Sequence, residues 1–465
     1  SAAVFNGGDN VTFDDTYVYS TPLTLSNILT PSAVVINGTR NYTFGGKGVI
    51  AGSGGLLMNS TGVLSLSNNT SGGFVNTYTG GTIISNGTIN ISAAWGCLGT
   101  GVVTLAGGTL ETFQKGSGAG TSSSSGLLTN LLITANSTWQ IDRTGNQCAG
   151  LVGALLGNPG ITLLITNSAT TSNSANEIRF GGIFTNYSAI VTAVNSITSN
   201  SSMTIGSFNT TGAQSYNGVI SGPTAAFAVS AAGSVYLNAP NTYTNPTTVT
   251  AGLLAGSGSI NGPLTVGTNG TLGGGSVGGI GTFTVNNSLT VTGKVFIRVN
   301  TSLAQSNDLI SVSGVITNAG VGTVTITNIG AGSLVAGNRF KIFSGAVQNG
   351  GALTVSGGGV TWSNNLAVDG SVQVAPSSVM VLTSSPKITS FNLQNPNAVF
   401  SGTNGQVGAT AYVLMTTNVT QPLSQWRTVG TDVLGGNSFT FTATNAVNAS
   451  SAQQFFILSS TNYNP

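Results

Sequence analysis

Apolar and polar residues alternate with a period of two along most of the chain. Runs of four to six residues rich in Val, Ile, Leu and Thr end in Gly or Asn, as in Val63–Leu66, Leu289–Thr292 and Val324–Thr327. Such alternation is typical of short β-strands with one buried face, and helix signals are almost absent. The pattern therefore predicts an all-β protein with frequent turns.

Glycine-containing pairs separate these runs. Asn86-Gly87, Gly107-Gly108 and Asn269-Gly270 each follow a strand-like run. Because Gly and Asn adopt positive φ at low cost, we expect these pairs to form corners between strands.

One segment of the chain is repeated. The letters NTYT occur at Asn76–Thr79 and again at Asn241–Thr244, and both copies lie in a longer matching frame that aligns Thr82 with Thr247. Self-similarity of this kind is typical of stacked repeat architectures. Tyr78 and Tyr243 are candidates for a carbohydrate-stacking platform, but packing of each ring over a repeat corner is the favoured interpretation.

Charged residues make up only 4% of the chain, and this selects between two β architectures. Antiparallel sandwiches would be expected to carry more charge on their outer faces. A parallel β-solenoid stacks equivalent residues of successive coils about 4.8 Å apart, so like charges would repel and uncharged Thr, Ser, Asn, Val and Ile are favoured. We therefore predict a parallel β-solenoid of about 18–20 coils, each of roughly 20 residues.

The pattern changes near residue 383. Six alternating runs follow, separated by polar turns, at Lys387–Leu393, Ala398–Gly402, Ala411–Thr417, Trp426–Thr431, Ser438–Thr442 and Gln453–Leu458. This spacing predicts a small antiparallel β-sandwich. The predicted domains are a β-solenoid over residues 1–382, with irregular coils around 116–233, and a C-terminal β-sandwich over residues 383–465.

Composition and charge argue against a membrane span and a nucleic-acid partner. No apolar run reaches the roughly 20 residues of a membrane-spanning helix. The net charge is +2 and the eleven cations are scattered, so we expect no nucleic-acid partner. Ser1 opens the chain without Met, as in a mature form whose signal peptide has been removed, and we expect an extracellular or cell-surface protein.

Cys97 and Cys148 are the two cysteines of the chain. In an exported protein such a pair favours a disulfide, and two small buried residues are the alternative.

Catalytic chemistry finds little support in the sequence. The chain has nine acidic residues and no histidine. Asp14-Asp15 is the one adjacent acidic pair, and neighbours in a strand diverge, so a turn or end-capping role is favoured over a cation site. Glu177 and Arg179 share a strand face and predict a surface ion pair. We therefore predict no catalytic residue, no metal site and no cofactor.

Several motifs resemble a known family. Asn76–Thr82 together with Leu98–Leu110 is similar to the autotransporter-associated β-strand repeat, also called the passenger-associated transport repeat. The resemblance implies an exported bacterial surface protein folded as a right-handed parallel β-helix.

These observations lead to one functional hypothesis and two alternatives. A solenoid has unpaired strand edges at its ends, and head-to-tail use of two such ends generates a filament. We expect a non-enzymatic structural subunit of an extracellular bacterial fibre or surface layer, joined to other copies through the solenoid ends and the C-terminal domain. The candidate assembly residues are Ala2, Val4, Phe5, Val11 and Phe13. The alternatives are an adhesin that binds glycans or other cells and, less favoured, a polysaccharide-degrading enzyme.

Overall fold

The computed structural model is nearly all β, and the predicted fold class is confirmed. It describes residues 5–16, 22–68, 76–91, 97–113, 126–127, 129–142, 149–151, 153–167, 177–194, 203–208, 211–376 and 386–459. The chain divides into two compact units, Ser1–Ala375 and Pro376–Pro465. The boundary lies seven residues before the predicted one.

The first unit is a parallel β-solenoid. The strands of its first half are β1 Asn10–Phe13, β2 Leu23–Leu25, β3 Ile28–Leu29, β4 Ala33–Ile36, β5 Tyr42–Gly46, β6 Val49–Ile50, β7 Gly55–Leu66, β8 Thr82–Ile91, β9 Val103–Leu105, β10 Thr109–Phe113, β11 Gly126–Leu127, β12 Leu131–Ile133, β13 Ser137–Asp142, β14 Ala149–Leu151, β15 Leu155–Gly157, β16 Thr162–Asn167, β17 Glu177–Phe180, β18 Phe184–Tyr187 and β19 Ile190–Val194. Each strand pairs in parallel with strands of neighbouring coils.

The second half of the solenoid continues this parallel arrangement and ends in a small antiparallel sheet. Its elements are β20 Met203–Ser207, β21 Ala213–Tyr216, β22 Ile220–Ser221, β23 Ala225–Val229, β24 Ser234–Leu237, β25 Thr247–Ala255, β26 Ser259–Ile260, β27 Leu264–Gly273, β28 Thr282–Val285, β29 Leu289–Val291, β30 Lys294–Val299, β31 Leu309–Val312, β32 Ile316–Asn318, β33 Thr323–Asn328, β34 Arg339–Lys341, β35 Val347–Gln348, the 3₁₀ turn η1 Gly350–Ala352, β36 Thr354–Gly357, β37 Trp362–Asn365, α1 Leu366–Asp369 and β38 Ser371–Val374.

Three faces surround the core of the solenoid. The first face contains β1, β4 and β9, the second contains β2, β5 and β10, and the third contains β3, β6 and β14. Long bent strands such as β7 and β8 cross from one face to the next. Inward positions repeat from coil to coil, so that Val11 pairs with Val34, and Val34 with Leu56.

The outer positions form uncharged ladders, as the low charge predicted. Thr248, Thr265, Thr290 and Thr317 are paired in register on the third face. Stacked β-branched side chains pack well on adjacent strands and bring no like charges together.

Coil length differs from the expectation. Paired positions are 18 residues apart at Leu254 and Leu272 but 31 apart at Val324 and Val355. Loops between the strands vary in length, so the solenoid has fewer coils than the predicted 18–20. A repeat length estimated from the shortest coils therefore overestimates the number of coils.

The two NTYT copies form equivalent corners. Asn76 is buried, accepts the Ile50 N–H at 2.9 Å and donates to the Cys97 carbonyl at 2.7 Å, which joins the preceding coil to the following one. Asn241 is also buried, accepts the Ile220 N–H at 2.8 Å and donates to the Ser259 carbonyl at 2.9 Å. The repeated asparagine therefore links three successive coils.

The repeat copies lie on different faces. After the first copy, β8 runs from the first face to the second, whereas after the second copy β25 runs from the third face to the first. Gly87 and Gly252 occupy the same bend, with φ of 63° and 73°. The repeated unit is thus a corner with its bent strand, and its position around the solenoid is not conserved between copies.

The predicted positive-φ corners are partly confirmed. Gly87 and Gly107 have positive φ, as expected. The prediction was wrong for Asn269-Gly270, because neither residue has positive φ. A Cβ at Gly270 would lie 2.3 Å from the Val249 carbonyl oxygen, so close packing between coils requires glycine there.

The C-terminal end of the solenoid is closed. Three antiparallel strands, β34, β38 and β37, form a small sheet over the last coil, and α1 packs beside it. Phe340, Phe343, Leu366 and Val372 are buried beneath it. The core is therefore covered at this end, because the chain reverses over its own last coil, whereas β35 and β36 each pair with a single strand among the described residues and keep the expected exposed edge.

The second unit consists of two three-stranded antiparallel sheets. One contains β39 Lys387–Gln394, β40 Asn397–Thr403 and β43 Phe439–Ala443, and the other contains β42 Arg427–Val433, β41 Thr410–Thr416 and β44 Phe455–Ser459, with the 3₁₀ turn η2 Leu423–Gln425 between β41 and β42. All six predicted strands are present. Phe400, Val413 and Phe441 pack between the sheets in an apolar core.

Candidate assembly site at the N-terminal end of the solenoid

The first strand of the solenoid offers an edge. Within the described part of the chain, β1 pairs with β4 and with no other strand. Val11 and Phe13 point toward the core and are partly exposed, while Asn10 and Thr12 face outward. The next strand, β4, has strands paired on both sides. Among the described residues, the solenoid ladder therefore ends at β1 with one edge unpaired.

An apolar cavity of about 240 Å³ lies at this end of the core. Its lining includes Phe5, Val11, Phe13, Leu23, Leu25 and Phe44. The ring of Phe13 contacts those of Tyr42 and Phe44, with centroids 5.2 and 5.3 Å apart. The rings of Phe13 and Phe44 line the cavity, and the side chains of the first coil do not fill it.

The candidate assembly residues are brought together in part. Phe5, Val11 and Phe13 all line the cavity, as expected of residues with a common role. Ala2 and Val4 lie outside the described residues. Their part in the predicted joining strand stays a prediction.

Acidic residues surround β1. Asp9 directly precedes the strand and Asp14-Asp15 follows it, whereas the first Lys or Arg of the chain is Arg40. The side chains of the first 39 residues thus carry a net charge of −3 (no cations, three Asp). The first coil is therefore anionic, and the nearest cations in the sequence, Arg40 and Lys47, belong to the second coil.

Asp15 holds the first two coils together at a corner. Its backbone φ is 67°, and its carboxylate accepts hydrogen bonds from the Thr39 N–H at 2.5 Å and the Tyr42 hydroxyl at 2.9 Å. The Thr39 N–H, followed by the Tyr42 hydroxyl, lowers the pKa of Asp15. Asp14 instead accepts the N–H of Thr16, two residues on, and its pKa is lowered by the Thr16 hydroxyl and N–H. These contacts agree with the predicted turn role of the pair.

The repeated tyrosines face the core. Tyr78 and Tyr243 are both buried, and each hydroxyl is 2.7 Å from the hydroxyl of the threonine four residues later, Thr82 or Thr247. Burial raises the pKa of both phenols. Neither ring is accessible to a sugar, which rules out the stacking platform and agrees with packing at the corner.

The predicted ion pair between Glu177 and Arg179 is confirmed, with 2.9 Å between the carboxylate and the guanidinium. Among the described residues, no group of three or more His, Cys, Asp or Glu is arranged to hold a metal ion. Within the same residues, no helix is long and apolar enough to cross a membrane.

Sequence reasoning missed one buried ion pair. Asp308 is fully buried, and its carboxylate accepts the Arg298 Nε–H at 2.8 Å. Arg298 also donates to the carbonyl oxygens of Gly274 and Ser276, at 2.7 and 3.0 Å. The pair therefore holds the glycine-rich loop between β27 and β28, residues 274–281, against β30. An arginine at an outward position of the apolar run Val295–Val299 was the available signal.

The predicted disulfide cannot be followed in the structure, because Cys148 lies outside the described residues. Cys97 is buried close to Tyr78 and beside the corner asparagine Asn76. Its pairing with Cys148 stays a prediction.

Comparison with known proteins leaves the chain without an assigned family: no family model matches it, and no curated protein matches it. The resemblance to the autotransporter-associated repeat therefore rests on the quoted residues alone.

Proposed function

We propose that the chain is a non-enzymatic structural subunit of an extracellular bacterial fibre or surface layer. Copies join head to tail, with the N-terminal end of one solenoid receiving the C-terminal domain of the next copy. The observation that carries the proposal is the contrast between an open, apolar N-terminal end and a C-terminal tip covered by its own sheet.

An open end of this kind favours association. The free edge of β1 presents unpaired backbone groups, which template the addition of another strand. The cavity beside it exposes apolar surface whose burial is worth about 25 cal/mol per Å². A strand from another molecule would satisfy the backbone groups and fill the cavity together.

Charge argues against a symmetric contact between two N-terminal ends. Such a contact would place two groups of three carboxylates, Asp9, Asp14 and Asp15 of each copy, against each other. Like charges in close contact across an interface cost several kcal/mol. A contact between two different surfaces avoids this cost, and it generates a filament when the rotation between copies does not close into a ring.

Electron microscopy of the purified protein over a concentration series tests the proposal. We expect unbranched fibres that lengthen with concentration, and Val11→Lys should give separate particles because it places a charge in the apolar cavity. Ile28→Lys is the matched control, since Ile28 belongs to the same coil but is 72% exposed. Separate wild-type particles at every concentration would overturn the fibre and favour the adhesin.

A further inference from the structure

The second unit has an exposed edge strand. Within the described residues, β39 pairs with β40 alone, so its other edge is available. Seven of its eight residues are exposed, the exception being Ile388, which is half-buried. A long exposed edge strand presents unpaired N–H and C=O groups that can pair with another chain.

The apolar residues of β39 lie on one side of it. Phe391 pairs with Phe400 and Leu393 pairs with Ala398, and both partners are buried in the core of the sandwich. Phe391 also contacts Phe456 of the other sheet, with ring centroids 5.5 Å apart. Nevertheless Phe391 is 44% and Leu393 is 56% exposed. The core of the sandwich is thus incompletely covered along β39.

The spacing of these two residues matches the solenoid ladder. On the first face, inward apolar residues occur two apart in successive strands, as Val11 with Phe13 and Val34 with Ile36. Phe391 and Leu393 repeat this spacing. A strand added beyond β1 needs the same pair of apolar residues to continue the core.

The charges of the two surfaces are opposite. Lys387 begins β39, and the side chains of residues 376–465 sum to +1 (Lys387 and Arg427 against Asp432). The N-terminal end of the solenoid carries −3, with Asp9 before β1 and Asp14 after it. Because carboxylates flank both ends of β1, Lys387 would approach one of them in either strand direction.

We propose that β39 of one copy adds to the free edge of β1 of the next copy, with Phe391 and Leu393 entering the apolar cavity. This proposal rests on the proposed function and names its second surface. The partner is a second copy of this chain, because one chain supplies both the anionic open strand and the cationic edge strand with the matching apolar spacing.

Complementary blocking variants test the pairing by sedimentation velocity. Val11→Lys blocks the N-terminal surface and Leu393→Lys blocks β39, so each variant alone should sediment as a single copy. An equimolar mixture should contain species of twice that mass and no longer assemblies, because each dimer keeps two blocked surfaces. Val433→Lys is the matched control for β39, since Val433 is similarly exposed on an edge strand of the other sheet, and it should polymerise.

A charge exchange provides a second test on charged residues outside the apolar cores, of which Asp14 and Lys387 are exposed and Asp9 is half-buried. The double variant Asp9→Lys, Asp14→Lys should require at least a tenfold higher protein concentration to polymerise. Adding Lys387→Glu to the same chain should restore polymerisation. High salt should reduce the difference between these variants.

The outcomes separate the two proposals. Polymerisation of Leu393→Lys at the wild-type concentration, or loss of assembly without rescue in the charge exchange, would overturn the β39 pairing and leave the fibre intact. Dimerisation of either blocked variant alone would show a symmetric contact and overturn both.

Discussion

The apolar core of the solenoid is covered to different extents at its two ends. At the C-terminal end the chain reverses and forms an antiparallel sheet, so that Phe340, Phe343 and Leu366 are at most 1% exposed. At the N-terminal end Phe13, Leu23 and Leu25 are only partly buried beside an open cavity. The C-terminal end of the stack is thus covered by the chain itself, and we propose that another copy covers the N-terminal end.

Local sequence explains the closed end. Gly357, Gly358 and Gly359 have φ of 101°, 67° and 74°, which L-residues with side chains rarely adopt. Gly357 ends β36, Gly358 and Gly359 follow it, and together they allow the chain to reverse into β37. Between β1 and β4 the chain instead continues through β2 and β3 into the next coil, so no segment returns over β1 among the described residues.

High pH should have the largest effect, because it acts on the interior between the two ends. Burial raises the pKa of Tyr187 and Tyr216, as it does for Tyr78 and Tyr243. In the unfolded chain these phenols ionise near pH 10, whereas in the folded chain they stay neutral. The free energy of unfolding is therefore unaffected below about pH 10 and falls above it, by about 1.4 kcal/mol per tyrosine and pH unit.

Absorbance at 295 nm with circular dichroism checks this result. We expect part of the ten tyrosines to ionise only when the β signal is lost. Ionisation of all ten with an unchanged spectrum would contradict the buried positions.

Truncation of matched aromatics should distinguish the ends. Phe340→Ala in the closed end should reduce the free energy of unfolding by about 3–5 kcal/mol, as for a fully buried phenylalanine. Phe13→Ala should cost about 1–2 kcal/mol in dilute protein, because its ring is already partly exposed. Urea unfolding of both variants measures the difference, and equal costs would mean that the N-terminal end is closed as well.

Acid should loosen the N-terminal end before the rest of the solenoid, and this should be the smallest of the three effects. The pKa of Asp15 is lowered in the folded chain, so its contribution is present above about pH 4 and disappears as the pH falls through the lower folded value. Hydrogen exchange by mass spectrometry at decreasing pH, corrected for intrinsic rates, should show faster exchange in β1 and β4 than in β38. Asp15→Asn should show the same loosening at neutral pH, and uniform loosening of the solenoid would contradict this role.

Much of the fold followed from the sequence because strand signals are local. The period-two runs predicted all six strands of the C-terminal unit, and the NTYT repeat indicated equivalent corners at Asn76 and Asn241. The coil length could not be predicted in the same way, since loop length between strands is free to vary from one coil to the next.

The features that sequence reasoning missed depend on distant contacts. Burial of Asp308 follows from the guanidinium of Arg298, ten residues earlier, and from a loop of the preceding coil. The covered C-terminal tip arises from a reversal of the chain that alternation alone does not reveal. At the candidate site, the shared role of Phe5, Val11 and Phe13 was predicted, whereas the cavity and the exposed β39 required the structure.

The most direct measurement of the central claim is amide hydrogen exchange in β1 below and above the concentration at which the protein assembles. We expect the amides of Val11–Phe13 to exchange rapidly in single copies and to become protected in the assembly, while those of Ser371–Val374 in the covered tip are protected in both. Equal exchange of β1 in the two samples would contradict the claim that its open edge joins the copies.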